Sequence, residues 1–144
     1  MEDRPIYSAL MLAGVTPFLA SALLPLTGVE DFGPLGRPDR LASAYGLAII
    51  CFLTGIHWAT QLYARESAPF NLFIGSNIVF LAVWIAYVAT SLQWALATQL
   101  LAFPLLLAID YRLCRKDLIS RQYLRLRFIA TALACFSLLF ILVS

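Results

Sequence analysis

Apolar positions in this chain do not alternate with polar ones; they run together. Five such runs can be drawn, at Tyr7–Leu26, Leu41–Leu62, Asn71–Thr90, Leu92–Asp110 and Leu126–Val143. A helix rises about 1.5 Å per residue and the hydrocarbon core of a bilayer is about 30 Å thick, so about 20 apolar residues are enough to cross it. Each run is close to that length. The pattern predicts an all-α integral membrane bundle of five transmembrane helices. Residues 1–144 then form a single transmembrane domain, with little chain left for anything else.

Within the runs, a few residues break the apolar monotony. In the first span Pro17 removes a backbone donor and crowds the carbonyl of Ala13, which predicts a kink beside Gly14. Lipid cannot satisfy the freed carbonyl, so Thr16 or a neighbouring helix must; a functional hinge is the alternative reading. Thr27–Arg40, rich in Gly and Pro, reads as a loop, with Asp39 as a cap for the second span. Ala89–Gln93 reads as a tight hairpin that sets spans three and four antiparallel.

The second span divides into three stripes when its residues are placed about 100° apart. Tyr45, Ile49, Phe52 and Ile56 are bulky and apolar, and suit lipid. Ala44, Ala48, Gly55 and Ala59 are small and suit the close approach of another helix. Ser43, Thr54, His57 and Gln61 are polar, with Trp58 beside them, and should face the bundle interior.

Composition agrees with a membrane solvent. Hydrophobic residues make up 62% of the chain and charged residues 12%, against about 45–50% and about 25% in soluble domains. The short, acidic segment Met1–Ile6 does not resemble a signal-peptide n-region, so the first run is read as a retained span. The cations carry the orientation. If the sides alternate across five spans, Arg4, Arg65, Arg112, Arg115, Lys116, Arg121, Arg125 and Arg127 share one face, and Arg37 and Arg40 the other. Positive residues stay on the cytoplasmic or matrix side, which predicts N-in and C-out. The same residues flank spans, so topology and lipid headgroups account for them and nucleic acid is not expected. Cys51, Cys114 and Cys135 sit in two spans and an inner loop, a placement that implies neither a disulfide nor a paired-cysteine metal site.

The topology also brings polar groups to one depth. His57, Gln61, Asn77, Asp110, Arg125 and Arg127 all fall in the inner third of the bundle, with Trp58 adjacent. In the plainest reading Asp110 pairs with Arg112, Arg125 or Arg127, and His57 bonds Asn77 or a carbonyl, joining helices. In the sharper reading the cluster is a polar pocket for a lipid headgroup, quinone or tetrapyrrole in contact with His57 and Trp58. His57 near Asp110 would also be an acid–base pair, although spacing places no nucleophile beside it. One histidine cannot supply paired haem ligation, though a five-coordinate haem needs only one. Zinc spacing, phosphate loops and dinucleotide fingerprints do not occur, and no catalytic or metal-ligating residue is assigned.

Several strings carry a resemblance. Ala44–Tyr45–Gly46, Phe52–Leu53–Thr54–Gly55–Ile56–His57–Trp58, Leu107–Ala108–Ile109–Asp110 and Tyr123–Leu124–Arg125–Leu126–Arg127, together with Pro17–Phe18, resemble the small inner-membrane family of unknown function that includes transmembrane protein 69. The likeness runs nearly end to end. It implies a polytopic protein of bacterial or mitochondrial inner membranes, and it implies no activity or cofactor. Three functions remain open: a non-catalytic accessory or assembly subunit of a larger membrane complex, a protein that binds or transports an amphipathic ligand, and a membrane enzyme using His57.

Overall fold

Each apolar run is helical, and local chemistry explains where the helices begin. The computed structural model describes residues 4–64, 66 and 68–144; Met1–Asp3, Arg65 and Ser67, and with them the side chain of Arg4, lie outside the described residues. The α-helices are α1 (Arg4–Ala13), α2 (Thr16–Leu23), α3 (Pro38–Tyr63), α4 (Leu72–Ala89), α5 (Leu92–Arg115) and α6 (Arg121–Val143), with short 3-10 helices at Leu24–Thr27 and Gly33–Leu35. Among the described residues five segments are long and apolar enough to cross a membrane, α1 and α2 together forming most of the first, Pro5–Thr27. No strand occurs among the described residues.

Side chains cap three of the starts. Asn71 accepts from the amides of Phe73 and Ile74, Ser91 from Trp94, and Ser120 from Tyr123, which satisfies donors that have no partner inside a helix. Asp39 is not the cap predicted for α3. The chain enters that helix at Arg37, with Pro38 in the first turn, and Asp39 lies one residue further on, bound to the Arg37 guanidinium at 2.8 Å. There it complements the positive end of the helix dipole.

The structure extends two spans past their apolar limits. α5 runs on from Asp110 to Arg115, and α6 starts at Arg121 rather than at Leu126. A helix does not have to end where its apolar residues end, because long arginine stems carry the charge out to the headgroups.

The predicted kink at Pro17 is instead a break. α1 ends at Ala13 and α2 begins at Thr16, which puts Pro17 in a first turn that needs no donor from it. Beside the break, the Tyr45 hydroxyl donates to the Gly14 carbonyl at 2.7 Å. Tyr45 also packs its ring on Phe18, at 5.0 Å between centroids. It therefore does not face lipid, as its apolar neighbours suggested.

Helices α2, α3, α5 and α6 surround the core, with α4 against α3 and α5. Phe18 and Phe103 meet edge-on at 5.7 Å near its centre. The close helix contact within the chain is at Gly46, where an added Cβ would fall 2.0 Å from Gln99 Oε1. Gln99 is fully buried and donates through Nε2 to the Ser43 carbonyl at 2.7 Å. The stripe of Ala44, Ala48, Gly55 and Ala59 faces outward instead, and nothing lies within 4 Å of a Cβ built on Gly55. Among the described residues no helix packs on it. The polar stripe does turn inward: Ser43, Thr54, His57 and Gln61 are all buried.

Candidate functional site

Three of the polar residues meet in the bundle interior, one from each of α3, α5 and α6. His57 Nε2 lies 2.8 Å from Asp110 Oδ1, and Arg127 Nε donates to Asp110 Oδ2 at 2.7 Å. The three are 2%, 3% and 4% exposed. A carboxylate only accepts, so an ionised Asp110 takes one donor on each oxygen, and the His57 tautomer assigned from this partner carries its proton on Nε2. Arg127 Nη1 donates to Thr131 Oγ1, one helical turn further on, at 3.3 Å. Two nitrogens of the cluster are buried without a hydrogen-bond partner: His57 Nδ1 and Arg127 Nη2. Among the described residues no group of three His, Cys, Asp or Glu side chains is placed to hold a metal ion.

The other residues predicted for this cluster are elsewhere. Gln61 is buried but accepts from the Leu72 amide at 2.8 Å, which ties the end of α3 to the start of α4. Trp58 and Asn77 pair with each other at 3.2 Å on the outer side of α3 and α4, where the Trp58 ring packs at a tilt against Phe73. Arg125 is exposed between α5 and α6. The reason is angular. Trp58 follows His57 by one residue and Arg125 precedes Arg127 by two, and neighbours at those offsets on a helix point to different sides. Equal depth did not mean a shared face.

Beside the cluster, α1, α2, α3 and α6 enclose an apolar groove of about 680 Å³. It exists because α1 leans on α6 rather than on α3 after the break at Gly14. Leu10 and Met11 form one wall, Ile49 and Ile56 another, and Ala130 and Ala134 a third. Phe103 from α5 also lines it, and Tyr7 and Tyr123, with rings 6.5 Å apart, stand at the end where α6 begins. Ser120, Arg127 and Thr131 contribute polar groups to its lining. The stripe of Ile49, Phe52 and Ile56, expected against lipid, lines this groove; Phe52 stays largely exposed at its edge. Apolar side chains suit either setting, so hydropathy did not separate them. Thr131 was legible in principle, one turn from Arg127 on the same face. The Tyr7–Tyr123 contact, between the two ends of the chain, left no local signal.

Residues 4–143 match a family described as a protein of unknown function, DUF3429. No curated protein and no solved structure was found to match the chain.

Proposed function

We propose, for a chain that belongs to the DUF3429 family and so inherits no activity from its relatives, that it holds an amphipathic ligand in the groove between α1, α3 and α6. The observation that carries this reading is Arg127, a buried cation in the lining of an otherwise apolar groove, with Nη2 unpartnered. A buried donor left without an acceptor costs about 1–3 kcal/mol, which a carbonyl or anionic oxygen of a ligand would relieve. The volume falls in the usual range for small-molecule sites, about 300–1,000 Å³. Nη2 is itself buried, so the reading requires the Arg127 side chain or the groove wall to shift for the oxygen to reach it. The apolar part of the ligand lies along Ile49, Ile56 and Ala134. A quinone or an acyl lipid meets these requirements. The resemblance to the transmembrane protein 69 family and a bacterial or mitochondrial inner membrane belong to the same proposal.

The test is gentle purification from native membranes, followed by mass spectrometry and an absorbance spectrum. Wild type should carry a lipid-soluble compound that is depleted in Ala130→Trp, which fills the groove. Equal content in both, or nothing above a detergent blank, would overturn the reading.

A second reading is favoured by a separate observation. The outward stripe of Ala44, Ala48, Gly55 and Ala59 offers a close-packing face that no helix covers among the described residues. It supports an accessory or assembly subunit that docks on a larger membrane complex. Co-purification in mild detergent, lost in Gly55→Leu, would support it; a solitary monomer in both would count against it.

A further inference from the structure

A second groove, of about 750 Å³, lies between α5 and α6 on the side facing away from α1. Its composition changes along its length. Pro104, Leu107 and Phe128 line one part, and Arg115, Arg121 and Arg125 line the other, with Tyr111 between them. This gradient follows from two antiparallel helical ladders. On α5, residues 104, 107–108, 111 and 115 recur at helical spacing, apolar first and basic last. On α6, residues 121, 125 and 128 recur in the opposite sense, basic first and apolar last. Packing the two helices side by side aligns apolar with apolar and cation with cation.

No described residue pairs with these cations. The ion pairs among the described residues are Arg37–Asp39, His57–Asp110 and Arg127–Asp110. Arg115, Arg121 and Arg125 take part in none of them, nor in any side-chain hydrogen bond seen among the described residues. Asp117, the one acid in the turn between the two helices, does not pair with them either. Among the described residues no acid neutralises these three guanidiniums, which stand at the mouth of an apolar channel at the end of the bundle that holds most of the chain's cations.

The geometry points to a binding site for an anionic glycerophospholipid, its phosphate held by Arg115, Arg121 and Arg125 and one acyl chain lying over Leu107, Pro104 and Phe128. Charge complementarity selects an anionic headgroup, since a zwitterionic one carries a cation into the same cluster. The apolar half selects a lipid over free phosphate, which would use the rim and leave the channel empty. Planar, forked guanidiniums favour phosphate oxygens in pairs, and basic pockets between spans are where such headgroups bind. This site shares no residue with the groove beside Arg127, so either can fail without the other.

The experiment is native mass spectrometry of the full chain in detergent, titrated with phosphatidylglycerol, with phosphatidylcholine of the same acyl chains, and with inorganic phosphate. Wild type should retain phosphatidylglycerol at least about tenfold more tightly than phosphatidylcholine, and millimolar phosphate should not displace it. Arg121→Gln combined with Arg125→Gln should erase the preference, while Arg37→Gln at the opposite end should keep it. Ala108→Trp, which fills the apolar half without touching a charge, should weaken both lipids and gives a second measure if the double variant folds poorly. Equal retention of the two lipids, full displacement by phosphate, or an unchanged preference in the double variant would overturn the site.

Discussion

Arg127 Nε donates to Asp110 Oδ2 at 2.7 Å while both residues are almost wholly buried, and the other Asp110 oxygen is engaged by His57. This contact ties α5 to α6 and, through His57, to α3. In an apolar medium neither charge is tolerable without the other.

Removing one partner should therefore cost more than removing both charges. Arg127→Met leaves Asp110 uncompensated, and a loss of about 3–5 kcal/mol is expected. Adding Asp110→Asn removes the charge but keeps an acceptor for His57, so much of that loss should return. Thermal unfolding midpoints in one detergent check the pair. A single variant as stable as wild type would show that the contact contributes nothing.

Gly46 should be intolerant of any side chain. A Cβ there would meet Gln99 Oε1 at 2.0 Å, and Gln99 is held in place by the Ser43 carbonyl. Gly46→Ala should destabilise by about 1–3 kcal/mol through overpacking. Gly55→Ala, on the outward face of the same helix, should not lower the stability of the isolated chain, since the added Cβ meets nothing and alanine is the better helix former. Parallel melts of the two variants provide the comparison.

Tyr45→Phe should lower stability by about 0.5–1.5 kcal/mol. The ring keeps its contact with Phe18, but the Gly14 carbonyl loses its donor. Faster amide exchange around residues 14–19 than elsewhere would localise the effect to the break between α1 and α2.

Orientation is open to direct labelling. The positive-inside rule applied to the basic end of the bundle predicts N-in and C-out. In intact cells or mitoplasts, a membrane-impermeant thiol reagent should modify a cysteine at Asp31→Cys and spare one at Lys116→Cys, in a background with Cys51, Cys114 and Cys135 replaced. The reverse pattern would invert the topology.

Several features of this protein were readable from residues alone. Long apolar runs determined five spans, because no other element satisfies its own backbone in lipid. Ser43, Thr54, His57 and Gln61 were assigned to the interior, since lipid rejects polar groups as strongly as water rejects apolar ones. Tertiary structure decided the rest. His57 and Asp110 are 53 residues apart, and only the rotation of α3 against α5 selected that contact over His57 with Asn77. Helix rotation likewise sent Trp58, Asn77 and Arg125 outward and turned Ile49 and Ile56 toward a groove. In water, apolarity marks the inside of a protein and so encodes packing. In a membrane it marks both the lipid face and the helix contacts, which leaves the pairing of helices to shape alone.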